Sequence, residues 1–179
     1  MRLPDGVPET PLSSRCQRRI QLPSVFTNRQ ARTVTERIEA FKADHLDECA
    51  RLAVATFNAE PWNDHWTFDT AKRELVWTMG VPGFAGLVSL DEGVVAFATG
   101  YREPDDRREV FFLRTLCVRP EAQGTGVGSR LIGHLKEHLG KSGVNTIYLV
   151  THKGIPAERF YGKHGYKTND EDIVMTHEW

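Results

Sequence analysis

Arg119-Pro120-Glu121-Ala122-Gln123-Gly124-Thr125-Gly126-Val127-Gly128-Ser129 sets three glycines in five positions between an apolar, β-rich run and an amphipathic helical pattern. Glycines at such a turn let the backbone approach a ligand closely, and the first amides of the following helix have no intrahelical acceptor. A helix start of this kind suits an anion, most naturally a phosphate or pyrophosphate. Two familiar phosphate patterns are excluded by the residues present. A dinucleotide fingerprint GxGxxG would need glycine where Ser129 stands, and a P-loop would need GxxxxGK followed by Ser or Thr.

Working outward, Val110-Phe111-Phe112-Leu113 continuing to Leu116-Cys117-Val118 predicts a strand over 109–118 that stops at Arg119-Pro120. Val127, Leu131, Ile132, Leu135 and Leu139 form the apolar stripe of a helix over about 126–139, and a strand follows at 145–151. A strand, a crossover helix and a second strand normally lie parallel in one sheet. Upstream, a strand at about 35–41 precedes Asp44, which reads as the cap of a helix carrying Leu46, Cys49, Ala50, Ala53 and Phe57. A second helix spans 68–80 and is stopped by Gly80 and Pro82; a hairpin of strands 84–90 and 94–101 turns at Asp91-Glu92-Gly93. A short helix at about 155–163 and one or two closing strands, at about 165–168 and 172–178, complete an α/β (α+β) order.

The whole chain has 179 residues, 40% of them hydrophobic and 26% charged, with a formal net charge of −1, which fits one globular domain and argues against a generalised nucleic-acid binder. That charge is unevenly divided. Residues 1–33 carry six Arg against Asp5 and Glu9, a net +4, so residues 34–179 carry −5. The first segment is rich in Pro, Ser, Arg and Gln without apolar periodicity and reads as a flexible basic tail; the body begins at 34. Cys16, Cys49 and Cys117 are an odd number at long spacings with no CxxC, so a disulfide framework and a zinc knuckle are not expected and a reducing cytoplasm is. No apolar run is long enough to span a membrane, so no membrane partner is expected.

Gln123-Gly124-Thr125-Gly126-Val127-Gly128 resembles the Q/R-x-x-G-x-G/A pyrophosphate motif of the GNAT superfamily of N-acetyltransferases. Ala157-Glu158-Arg159-Phe160-Tyr161-Gly162-Lys163-His164-Gly165-Tyr166 is similar to the A-x-x-x-Y-x-x-x-G-[FY] segment that follows that family's fifth strand. The two blocks stand in the right order, one helix and one strand apart, and the resemblance covers about residues 34–179. It implies a GNAT fold: a mixed sheet of six to seven strands, the fourth and fifth splayed apart, flanked by about four helices. It also implies acetyl-CoA as co-substrate and a direct transfer to a primary amine. Main-chain groups of Leu116, Cys117 and Val118 would meet the pantetheine arm, the segment Gln123, Gly124, Thr125, Gly126, Val127, Gly128 and Ser129 the pyrophosphate, and Ala157 and Phe160 the cofactor arm. Val118 N–H would donate to the thioester carbonyl. Tyr161 falls where relatives carry the general acid that protonates the departing thiolate. Many relatives place a carboxylate base on the fourth strand about where Thr115 stands, and threonine cannot serve.

The loop Phe57-Asn58-Ala59-Glu60-Pro61-Trp62-Asn63-Asp64-His65-Trp66-Thr67 joins the first two helices, where the family builds its acceptor pocket. Trp62 and Trp66 interleaved with Glu60 and Asp64 suit a cationic amine, since aromatic faces attract ammonium groups and carboxylates pair with them. Together with Pro82-Gly83-Phe84, this block resembles GNAT members grouped with aminoglycoside 6′-N-acetyltransferases, which implies an aminoglycoside acceptor and antibiotic resistance as the outcome. A polyamine, another small amine or a protein amine is the alternative acceptor, and a non-catalytic CoA-binding regulatory module the alternative of another class. Thr115 argues most for the module. A water chain ending at Glu60, Asp64 or His152 is left to take up the amine's proton. His134 and His138 have metal-pair spacing without HExxH or a third ligand, so no metal is expected. Cys117 reads as a packing residue, and Asn169-Asp170-Glu171-Asp172 as a solvated turn. Relatives are often dimers, so a homodimer is an expectation that no stretch of the sequence localises.

Overall fold

In the computed structural model residues 36–179 are described, so the basic segment 1–33 and its boundary lie outside the described residues. The elements are β1 (Arg37–Ala40), α1 (Leu46–Phe57), α2 (Phe68–Gly80), β2 (Phe84–Leu90), β3 (Val94–Pro104), β4 (Glu109–Val118), α3 (Val127–Gly140), β5 (Ile147–Tyr148) and α4 (Pro156–Lys163). Two helix starts show how the local sequence acts. Thr67 heads α2, its hydroxyl accepting from Thr70 N–H at 3.2 Å while its own N–H donates to Thr70 Oγ1 at 2.9 Å. Asp44 does not cap α1 as the sequence pattern suggests. It lies inside a 3-10 turn, Ala43–His45, that precedes the helix, and the amide at the head of that turn, Lys42 N–H, donates to His45 Nδ1 at 3.0 Å.

The strands form one sheet in chain order, antiparallel from β1 to β4, with β5 added parallel to β4. Apolar side chains on its two faces build two cores. One, around Phe97, Val88 and Cys117, is covered by α1 and α2 through Cys49, Ala50, Ala53, Ala71 and Leu75. The other, around Ala96, Ala98, Phe111 and Leu113, is covered by α3 through Val127, Leu131, Ile132, Leu135 and Leu139. The alternation of β4 changes phase along its length. Phe111 and Leu113 face the α3 core, yet Leu116 and Val118 do so too, while Cys117 faces α1. The cause is a bulge: Thr99 pairs with Thr115 but Gly100 with Leu113, leaving Arg114 as the extra residue.

The sheet has five strands among the described residues, fewer than the six to seven expected. The strand expected at 145–151 shortens to Ile147–Tyr148, pairing only with Phe111 and Phe112. The strand expected at 165–168 does not form because the chain there finishes α4: His164 and Tyr166 N–H both donate to Tyr161 O, at 2.9 and 3.1 Å. Over the expected strand 172–178 the backbone is irregular, and Ile173, Val174 and Met175 are 78%, 75% and 82% exposed. A two-residue β5 offers almost no edge on which those segments could pair. Asn169–Asp172 does form a turn, Glu171 N–H donating to Asn169 Oδ1 at 3.1 Å. Among the described residues no helix is long and apolar enough to cross a membrane.

Candidate active site

Beyond Phe112, β4 and β5 part, and the opening between them is the centre of a cavity of about 750 Å³. The polar edge of β4 there follows from register. Arg119 N–H donates to Val95 O at 2.8 Å, so the alternation of the antiparallel ladder turns Cys117 and Thr115 toward β3. Leu116 and Val118 therefore present their main-chain groups to the opening. The Val118 carbonyl accepts from Gln123 Nε2 at 3.1 Å, which leaves the Val118 N–H as the donor facing the cavity.

One end of the cavity is the glycine turn, which enters α3 through Gly126 at φ 90°. Gln123, Gly124, Gly126, Gly128 and Ser129 line it, opposite Ala157, Phe160 and Tyr161 of α4. Ser129 Oγ lies 3.0 Å from His164 Nε2, tying the start of α3 to the end of α4. Three residues assigned by sequence to the cofactor do not line the cavity with their side chains. Val127, the first residue of α3, is buried in the core that helix covers, Cys117 is 1% exposed in the α1–α2 core, and the Thr125 hydroxyl donates back to Ala122 O at 2.7 Å. Burial pushes the Cys117 thiol up to about 12, so it stays protonated at neutral pH.

Tyr161 faces the cavity from α4 with its ring 5.2 Å from Phe160 and 5.4 Å from Tyr166. Burial, and secondarily the neighbouring Tyr166 phenol, raises its phenol above the usual range. The group is therefore a neutral proton donor throughout the physiological range.

The other end is built by the loop between α1 and α2. Asn58 clamps it, donating Nδ2–H to Trp66 O and accepting from Trp66 N–H, both at 2.8 Å. Trp62 packs edge-on to Phe57 at 5.6 Å and against His152, beyond β5, at 5.4 Å. Asp64 Oδ2 accepts from the Trp66 indole at 3.0 Å, so one of the two loop carboxylates orients an aromatic wall while Glu60 is exposed beside it. Glu60, Trp62, Asp64, Trp66, Thr115 and His152 all line this half of the cavity.

Sequence reasoning missed Glu74 and Arg114, which also line it and pair at 3.0 Å. Glu74 sits in an ordinary helical stretch and Arg114 is one charged residue within an apolar strand, so neither carries a local signal. Among the described residues no cluster of three His, Cys, Asp or Glu could hold a metal.

The acetyltransferase (GNAT) family model matches residues 44–166, more than half of the chain. No curated protein sequence matches it significantly. Among solved structures, an acetyltransferase of Trypanosoma brucei superposes with a TM-score of 0.59 at 16% identity, covering 79% of this chain and 99% of that one. The aminoglycoside N-acetyltransferase AAC(6′)-Iy in complex with CoA superposes with a TM-score of 0.65 at 16% identity, covering 83% and 97%. An aminoglycoside acetyltransferase from an uncultured soil metagenomic sample, in complex with sisomicin, gives 0.60 at 18% identity, covering 80% and 95%. At these identities the likeness is one of fold.

Proposed function

The chain belongs to the acetyltransferase (GNAT) family, and from that premise we propose that it transfers acetyl from acetyl-CoA directly to a primary amine of a small cationic molecule, an aminoglycoside first among them. One observation carries this reading: the open main-chain edge of Leu116 and Val118, the glycine turn and the acid-aromatic loop all line a single cavity. Such a cavity can hold a long anionic thioester at one end and a cation at the other.

In this reading the amides entering α3 hold the pyrophosphate, Leu116 and Val118 hold the arm, and Ala157 and Phe160 flank it. The amine, its charge attracted by Glu60 and Asp64 and its carbon frame by Trp62 and Trp66, loses a proton and attacks the thioester carbon. Thr115 cannot accept that proton; it leaves through water to a carboxylate or to His152. Val118 N–H stabilises the charge that develops on the carbonyl oxygen. As the C–S bond breaks, Tyr161 gives its proton to the sulfur and regains one, through water, from the nitrogen that has attacked, so the products are an amide and free CoA thiol. Cys49 and Cys117, buried as free thiols, support the cytoplasm as the compartment.

The test is release of free thiol from acetyl-CoA with kanamycin-type and gentamicin-type amines, spermidine and a lysine peptide as acceptors. The expected outcome is turnover with the aminoglycosides at the highest kcat/KM. Preference for spermidine or the peptide would replace the acceptor, and binding of CoA with no thiol released from any of them would leave a non-catalytic CoA module.

A further inference from the structure

The glycine turn is braced from behind by residues that do not line the cavity. Glu36 is mostly buried, its side chain 11% exposed, and each carboxylate oxygen has a different partner. Oε1 accepts from the hydroxyl of Ser89, which is 0% exposed in β2, at 2.8 Å. Oε2 accepts from Arg130 Nε–H at 2.7 Å and pairs with the same guanidinium's Nη2. The remaining arm of that fork, Nη1, reaches the main-chain carbonyl of Thr125 at 3.4 Å. It also fills the space beside Gly126, where an added Cβ would come within 2.9 Å of it. Glu36 lies before the family match, which begins at residue 44.

We propose that Glu36 and Arg130 are positioning residues for acetyl-CoA: held by Glu36, Arg130 pulls the Thr125 carbonyl back from the cavity so that the amides after it face the pyrophosphate. A carbonyl turned toward an anion repels it, whereas an amide binds it, so the orientation of one peptide plane decides the sign of the interaction. The planar fork of arginine suits this task because it can satisfy a carboxylate and a carbonyl at once. With Glu36 as its counter-charge, Arg130 acts by geometry rather than as a loose cation. The proposal rests on the acetyl-CoA reading and deepens it on the cofactor side, independent of which amine is the acceptor.

The experiment uses the full chain and two probes, CoA by calorimetry and pantetheine, which lacks the pyrophosphate, by NMR titration to millimolar concentration. Arg130→Gln is expected to weaken CoA about tenfold while pantetheine changes less than about twofold, because only the pyrophosphate contact is lost. Arg130→Lys and Glu36→Gln should weaken CoA in the same direction by smaller factors. Unchanged CoA affinity in Arg130→Gln overturns the proposal. So does an equal loss for pantetheine, which would mean a merely structural role, and so does tighter CoA binding in Glu36→Gln, which would mean a cation acting by charge alone. If the unsubstituted chain binds no CoA, the acetyl-CoA reading falls first and this proposal with it.

Discussion

At Tyr161 the role proposed for a side chain of ordinary type rests on where the backbone puts it. On the surface its phenol would be one more hydroxyl; on α4 it is half-buried against Phe160 and Tyr166 and faces the opening beside Val118. Its phenol, raised by burial above the ordinary value of 10.0, stays protonated through neutral pH, the state the proposed proton transfer to a departing thiolate requires. Tyr161→Phe is therefore expected to lower kcat about 100-fold in thiol-release assays while CoA affinity in calorimetry stays the same. An unchanged kcat would remove Tyr161 from the chemistry. The residues that share its cavity differ in how visible they are. Val118, Tyr161 and the loop acids stand in motifs or unusual compositions, whereas Glu74 and Arg114 meet only across 40 positions of chain.

The element that shapes the site is β4, and the device is its bulge. One extra residue at Arg114 shifts the inward-facing set from Phe111 and Leu113 to Leu116 and Val118, and past it β4 pairs with β3 alone. Gly100 of β3 stands opposite the bulge. A Cβ there would overlap the Phe112 carbonyl and come within 2.7 Å of the Phe111 ring, both part of the rigid sheet. Gly100→Ala is expected to cost about 3 kcal/mol in urea unfolding, since neither neighbour can move without breaking β4 pairing. A loss below about 0.5 kcal/mol would mean that the strands pass this point with room to spare.

Across the whole molecule, burial favours the protonated forms of several groups. Burial raises the thiols of Cys49 and Cys117 and the phenols of Tyr161 and Tyr166 above their ordinary values of 9.0 and 10.0, Cys117 and Tyr166 to about 12. Each folded value lies above the unfolded one, so the unfolded chain releases its protons first as pH rises. Their contribution to stability is complete below about pH 8 and is lost progressively above about pH 9. Urea midpoints should be flat from about pH 7 to 8 and fall steadily from about pH 9 to 11, with Tyr166→Phe removing part of the fall. A midpoint unchanged to about pH 11 would contradict the burial of these groups.

Local chemistry determined much of this protein without the fold. The helices at 68–80 and 156–163 and the strands at 84–90 and 109–118 follow from apolar periodicity and from Gly and Pro stops, because those are interactions among near neighbours in the chain. The glycine turn was legible for a similar reason, its glycines standing at fixed spacing before a helix, while the roles proposed for Val118 and Tyr161 come from the resemblance of two blocks to a known family. Pairing over long distances was not legible. The two-residue β5, the irregular segment after α4 and the missing cap at Asp44 depend on which backbone groups already have partners. Only the tertiary structure decided that Arg114 bulges opposite Gly100, that Glu74 joins the acid-aromatic loop, and that Glu36 reaches across 94 positions to brace the turn. Those contacts arise from strand register, and register is set by the packing of two cores at once.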